Sequence, residues 1–367
     1  MDFEKGSLES LEMKPGKLST SFWKNKNVLI TGHTGFKGSW LSLLLKKLGA
    51  NVTGISLEPS SSPNLFDLIN GKEITRSIIC DIRNLKSLRE HFKAADPECV
   101  LHLAAQPLVR ESYLNPIDTF ESNIMGTANV LESMRSLPNL KAAVMITTDK
   151  VYRENHSQQP YVEDDYLGGQ DPYSSSKAAC EIVIDCYRKS FHSELGISIA
   201  SARAGNVIGG GDWSNDRLIP DAIKSWSINK PLEVRYPNAT RPWQHVLEPL
   251  YGYLILAESL FKSPSNAEAY NFGPEDESIK SVKEVINLAQ DFFGAGDVIY
   301  SKTTEGPHEA KWLSLDITKA IDELSFMPRW NLQETVEHTI SWYKDFNKGG
   351  DALSLCMDQI ESYENSA

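Results

Sequence analysis

The sequence predicts an α/β protein built on a doubly wound parallel sheet, with a smaller mixed α/β lobe toward the C-terminus. Three observations predict it. Short apolar, β-branched runs recur at Asn27–Thr31, Asn51–Leu57, Ser77–Asp81, Cys99–Ala105, Ala142–Thr148 and Ile197–Arg203. Patterns of helical period lie between them, as at Ser39–Leu48, Leu85–Ala94, Pro116–Arg135 and Pro172–Leu195. After Arg203 the rhythm stops, and a Gly209-Gly210-Gly211 stretch and Pro-punctuated segments follow. Strands that are apolar throughout must be buried on both faces, and alternation with helices supplies that cover and makes the strands parallel.

The chain has 367 residues, 41% hydrophobic and 23% charged, which is globular composition for one large domain or two fused ones. Residues 22–205 are expected to form the sheet domain, with a returning segment around 240–265. Residues 206–348 are expected to form mainly the second lobe. Residues 1–21 mix Asp, Glu and Lys with no apolar stretch, so a loose extension is expected there and neither a signal peptide nor an anchor. Residues 349–367 carry a weak amphipathic pattern with acidic ends and are expected to fray. The net charge of −12 argues against a nucleic-acid or membrane-surface partner. No apolar run approaches the ~20 residues that span a bilayer. The five cysteines show no CxxC or His-interleaved spacing, so no metal site is expected, and reduced thiols in a cytoplasmic protein are.

The first strand leads into Thr31-Gly32-His33-Thr34-Gly35-Phe36-Lys37-Gly38. Glycines at 32, 35 and 38 suit a tight turn, close approach of backbone to a pyrophosphate, and tight packing of helix on strand. A helix N-terminus there offers free N–H groups and a partial positive charge. The segment reads as the dinucleotide loop of a Rossmann domain. His33 and Lys37 are expected as exposed turn residues, either of which could lie over the pyrophosphate. At the later strand ends Asp81 and Ile82 would sit near the adenosine, and Ala104 and Ala105 would let the ribose approach. Ser56-Leu57-Glu58-Pro59 brings no arginine for a 2′-phosphate, which favours NAD, while Lys37 keeps NADP open.

Tyr173 and Lys177 stand at i and i+4 of a helix whose start is marked by Asp171 and Pro172. A tyrosine must lose its proton to act as a base on a sugar hydroxyl. A lysine ammonium, the helix N-terminus and an oxidised nicotinamide would all lower its pKa. Thr148, at the end of the preceding strand, could share that hydroxyl. Asp149 and Lys150 follow it. Oxidation alone needs neither, but eliminating water across C5–C6 of a sugar needs an acid, for which Asp149 is suited, and a base, for which a neutral Lys150 is. The plainer alternative is a solvated pair at a strand end.

Together these segments resemble the extended short-chain dehydrogenase/reductase superfamily, and within it the CDP-glucose 4,6-dehydratases. The resemblance rests on Thr31–Trp40, Leu103–Arg110, Asp171–Lys177, Arg203–Trp213, Asp216–Pro220, Arg241–Pro249 and Pro307–Ala310, and on Asp149-Lys150. It implies NAD as cofactor and CDP-glucose as substrate, with oxidation at C4, loss of water across C5–C6 and hydride return to C6. It implies further cofactor contacts at Gln106, Asn123, Thr147 and Arg203. It implies substrate contacts at Thr148, Asn206, Leu218 and His308, and at Arg217, Arg235 or Arg241 for the diphosphate. Thr148 replaces a serine common in the family, and Glu154–Tyr161 lacks an expected aromatic stretch. The alternatives are a 4-epimerase or a dehydratase of another nucleotide sugar on the same scaffold, and a non-catalytic NAD-binding scaffold. A homodimer or homotetramer is expected through two helices. One carries Ala178, Ala179, Ile182, Val183, Cys186 and Phe191, the other Phe120, Ile124, Val130 and Leu131, unless both stripes face the sheet.

Overall fold

The computed structural model describes residues 18–154, 159–301 and 312–366. Seven strands form one parallel sheet: β1 (Asn27–Thr31), β2 (Asn51–Ser56), β3 (Arg76–Ile79), β4 (Cys99–His102), β5 (Ala142–Ile146), β6 (Ser198–Ala204) and β7 (Ala269–Phe272). Their order across the sheet is β7-β6-β5-β4-β1-β2-β3. The chain therefore winds outward in one direction from β1 to β3 and in the other from β4 to β7. The switch between β1 and β4 opens a crevice at the carboxyl ends of the strands.

Alternate strand residues feed two separate cores, because successive side chains point to opposite faces. Val28, Ile30, Leu101, Val144 and Ala202 pack with helix α1 (Phe36–Lys47) on one face. Leu29, Val100, Ala143 and Met145 pack on the other with α2 (Leu85–Ala95), α3 (Gly126–Met134) and α4 (Pro172–Tyr187). The α1 start at Gly35 has no side-chain cap. The α4 start has a reciprocal capping box, Asp171 with Ser174, and Pro172 in the first turn.

The second lobe contains α5 (Leu218–Ser227), α7 (Val282–Phe293) and α8 (Leu332–Asn347), and three small strand pairs follow Ala204 among the described residues, one of them Val207–Ile208 with Gln244–His245. Two more lie in the lobe. These are Leu232–Val234 with Val298–Tyr300, parallel, and Thr240–Pro242 with Ile279–Ser281, antiparallel. Between them α6 (Leu247–Lys262) returns to lie on β5 and β6. The returning segment extends beyond residue 265, because β7 then pairs with β6.

Three expectations need correction. The tail does not fray: α9 (Ala352–Asn365) buries Cys356, Ile360 and Tyr363 against the first core. Order begins before Phe22, where Ser19 caps a short helix over Thr20–Trp23 and the Trp23 indole donates to Glu258 at 2.8 Å. The stretch Pro116–Arg135 is not one regular helix, since a π-helical turn at Glu121–Met125 interrupts it. No helix among the described residues is long and apolar enough to cross a membrane.

Candidate active site

A cleft of about 820 Å³ follows the switch point and runs into the second lobe. Its phosphate end is built by glycines that admit no side chain. Gly32 has φ +80°, and a Cβ there would lie 2.8 Å from the Ala104 nitrogen. A Cβ on Gly38 would meet the Gly32 carbonyl oxygen at 2.1 Å. Gly35 faces outward at the head of α1, whose first-turn N–H groups no side chain caps. This bare helix end beside glycine backbone fits a pyrophosphate. Thr34 and Phe36 line the same wall, and the Thr34 hydroxyl is tied to Ser56 and the Leu57 carbonyl. Asp81, Ile82, Ala104, Ala105 and Gln106 line the far end. Asp81 is held below the usual carboxylate range by Arg83, which bonds it bidentately.

Three expected cofactor residues do not line the cleft. The His33 side chain turns beneath β2, where its ring fills the space beside Gly54 and Nε2 meets Ser77 Oγ at 2.7 Å. Burial lowers its pKa to about 4, so it brings no charge to a phosphate. Asn123 is buried and fully engaged: Oδ1 accepts from the Gln106 N–H, and Nδ2 donates to the Gln106 carbonyl and to Ser176 Oγ. Arg203 lies behind the site, donating to Glu181 at 3.0 Å, to the Tyr152 hydroxyl and to the Glu163 carbonyl. Glu181 also accepts from Thr147 and Ser201, so Thr147 reaches the cleft wall with its hydroxyl already spoken for.

A hydrogen-bond chain joins the glycine loop to α4. The Ala104 N–H donates to Thr31 Oγ1, which leaves the Thr31 hydrogen for His102 Nδ1 at 2.7 Å. Nε2–H of His102 then donates to Thr127, Thr127 to Cys180, and Cys180 to the Asn123 carbonyl. Asn123 donates to Ser176, which donates to the Tyr173 carbonyl. The chain fixes one tautomer of a histidine that burial keeps neutral, with a pKa near about 3.

Thr148, Asp149, Lys150, Tyr173 and Lys177 meet at the middle of the cleft. Thr148 donates to Asp149 Oδ1 at 2.9 Å and stands beside the Tyr173 phenol. Lys150 Nζ lies 3.4 Å from that same oxygen. Asp149 Oδ2 is buried with no protein partner, pressed toward Gly205. A buried carboxylate oxygen left open in this way points to a ligand. Lys177, lowered by burial, donates to the Ile146 carbonyl. The expected lowering of Tyr173 is not reached by the protein's own charges. Burial pushes it up to about 12, against the pull of Thr148 and Arg217. Lys37 is not an exposed turn residue either. It reaches into the cleft to the Tyr253 hydroxyl at 3.2 Å, and burial, then the Arg217 and Lys177 charges, lower it to about 7.

Beyond this centre Asn206, Arg217, Leu218, Arg235 and Arg241 all line the cleft. Asn206 Oδ1 is a second buried oxygen with no protein partner. Arg241 is buried and donates to the Thr240 carbonyl. His308 lies outside the described residues. Among the cleft residues that carried no assignment in sequence are Arg110 and Asp216, which pair at 2.7 Å. Both stand inside the segments that carry the family resemblance, but their partnership spans 106 positions and has no local signal.

Residues 29–339 match a family model described as GDP-mannose 4,6 dehydratase. A CDP-glucose 4,6-dehydratase of Salmonella typhimurium is 43% identical over 352 residues, 94% of this chain and 98% of that protein. Among solved structures, the UDP-glucuronic acid 4-epimerase of Bacillus cereus in complex with UDP-glucuronic acid and NAD is similar with a TM-score of 0.74 and 26% identity. The match covers 87% of this chain and 99% of that one. A dTDP-glucose 4,6-dehydratase from Streptomyces venezuelae with NAD bound shares the fold with a TM-score of 0.72, at 22% identity over 89% of this chain and 99% of that one. With its parallel sheet, glycine cradle and Tyr-x-x-x-Lys helix, the chain belongs to the GDP-mannose 4,6 dehydratase family of nucleotide-sugar dehydratases and epimerases.

Proposed function

We propose that this chain dehydrates CDP-glucose to CDP-4-keto-6-deoxy-glucose, using NAD. The observation that carries the reading is the Asp149 carboxylate, which lines the cleft with Thr148 and Tyr173 and keeps one buried oxygen without a protein partner. A dehydrogenase or 4-epimerase acts at C4 alone and has no use for a second acid at that place. The identity to the Salmonella typhimurium enzyme supports the nucleotide assignment.

NAD, when bound in the glycine cradle, supplies the hydride acceptor for C4 and the hydride donor for C6. Thr148 and Tyr173 hold the C4 hydroxyl, and Tyr173 takes its proton. Lys177 keeps positive charge near that phenolate. Asp149, entering the step as the neutral acid, protonates the departing C6 hydroxyl, and Lys150, entering it as the neutral amine, removes the proton at C5. Asn206 holds the sugar, and Arg217, Arg235 and Arg241 hold the diphosphate, for which the guanidinium fork is suited. The five unpaired cysteines fit a reducing, cytoplasmic setting.

A second copy of the chain is the proposed partner. The expected stripes are only partly free, since Ala178, Val130 and Leu131 are buried in the protein. Of the expected stripes Ile182 is 63% exposed, and on the neighbouring helical turns Leu114, Ile117 and Met125, outside those stripes, are 54–75% exposed. Ile182→Asp should shift the protein to monomer in sedimentation, and a wild-type monomer at micromolar concentration contradicts the assembly. The activity is tested by incubation with CDP-, UDP-, GDP- and dTDP-glucose. Product lighter by one water from CDP-glucose is expected; product of unchanged mass indicates epimerisation and overturns the reading.

A further inference from the structure

We propose that Asp216 is a place-holder for the substrate's diphosphate, and that Arg110 is an additional ligand of that group. This rests on the nucleotide-sugar reading above. Arg110 stands on a short helix, Val109–Leu114, that follows β4 and belongs to the sheet domain. Arg235 follows the strand Leu232–Val234 of the second lobe. Their side chains converge on a single oxygen, Asp216 Oδ1, Arg110 at 2.7 Å and Arg235 at 3.7 Å. One carboxylate thus bridges cations from the two walls of the cleft that would hold a nucleotide sugar.

Charge and exposure decide what this bridge can be. All three side chains are 39–49% exposed. Ion pairs so exposed stabilise a fold little, so this one is exchangeable. Asp216 offers these two guanidinium groups a single oxygen, with Asp221 the next carboxylate near Arg235, whereas a diphosphate brings more charge and more acceptor oxygens in the geometry that arginine prefers. In a chain of net charge −12, the cleft is nonetheless lined by Arg110, Arg217, Arg235 and Arg241. Asp216 is the carboxylate that quenches two of them. Asp216 has left-handed backbone, φ 57°, which Asn also tolerates. Asp216→Asn therefore removes the charge and keeps the turn.

The experiment is calorimetric titration of the NAD-loaded protein with CDP and, separately, with inorganic pyrophosphate. Asp216→Asn should tighten both by about three- to tenfold, because the competing anion is gone. Arg110→Met should weaken both by a similar factor, and should cancel most of the gain when combined with Asp216→Asn. Retention of NAD should be the same in all four proteins. Weaker or unchanged binding in Asp216→Asn, or unchanged binding in Arg110→Met, overturns the proposal. If CDP binds no better than pyrophosphate but both respond as stated, the place-holder stands and the cytidine reading fails. If the wild type turns over CDP-glucose and Asp216→Asn shows no gain, the place-holder alone falls.

Discussion

Asp149 places one carboxylate oxygen between Thr148 and Lys150 and the other against Gly205, where a Cβ would approach it to 2.8 Å and Pro242 to 2.7 Å. Gly205→Ala should therefore move the acid and leave the cofactor cradle alone. A displacement on the order of 1 Å costs about 10²-fold in rate, so kcat should fall by that order while NAD affinity holds. Equal losses in both would make the effect general unfolding. The Thr-Asp-Lys run and the Tyr-x-x-x-Lys pair were legible in sequence because their partners are chain neighbours. His33, Asn123 and Arg203 fall outside the cleft lining because the direction of a side chain is set by distant partners. For these residues the partners are Gly54 and Ser77, Gln106 and Ser176, and Glu181 and Tyr152. Gly205 itself gave no signal, since its role is to make room.

At the scale of elements, the sheet and its helices followed from apolar runs and helical period, with ends displaced by a few residues. β7 was missed because Ala-Tyr-Asn-Phe is short and comes after the rhythm has broken. What no period encodes is how elements are held in register, and here His102 does this between β1, β4 and α3. His102→Leu would leave the Thr31 hydroxyl hydrogen without an acceptor in the core and take from Thr127 one of its two partners. An orphaned donor costs about 1–3 kcal/mol, so the denaturant midpoint should drop accordingly. The chain through Cys180, Asn123 and Ser176 ends on the Tyr173 backbone. The weakened protein should therefore also bind NAD less tightly. A variant of wild-type stability would show that the chain carries no strain-bearing order.

At the scale of the whole molecule, the tail closes the structure through a buried carboxylate. Glu248 on α6 accepts from the Tyr363 hydroxyl at 2.6 Å and from the Trp330 and Arg329 backbone. A sequence pattern of weak amphipathicity could not show this, because the partner lies 115 residues away. Burial raises Glu248 from the model-peptide value to about 7. The folded state then binds more protons than the unfolded state between about pH 4.5 and 7. Stability from this group is accordingly present at the acid side of that window and declines as pH rises through it. Glu248→Gln should flatten the decline in Tm across the window, and parallel slopes for the two proteins would place the titration elsewhere.

The central claim is that oxidation at C4 and elimination across C5–C6 use different residues of one cleft, and one measurement separates them. Nicotinamide absorbance is followed after CDP-glucose is added to the Asp149→Asn protein, with Tyr173→Phe alongside. Tyr173→Phe lacks the base for the first step, so its cofactor should stay oxidised. Asp149→Asn keeps that base but lacks the proton donor for the leaving hydroxyl, so turnover should fall by about 10²–10⁴ while reduced nicotinamide accumulates. Near-normal dehydration by Asp149→Asn, or a fall in turnover with no reduced cofactor, would contradict the account.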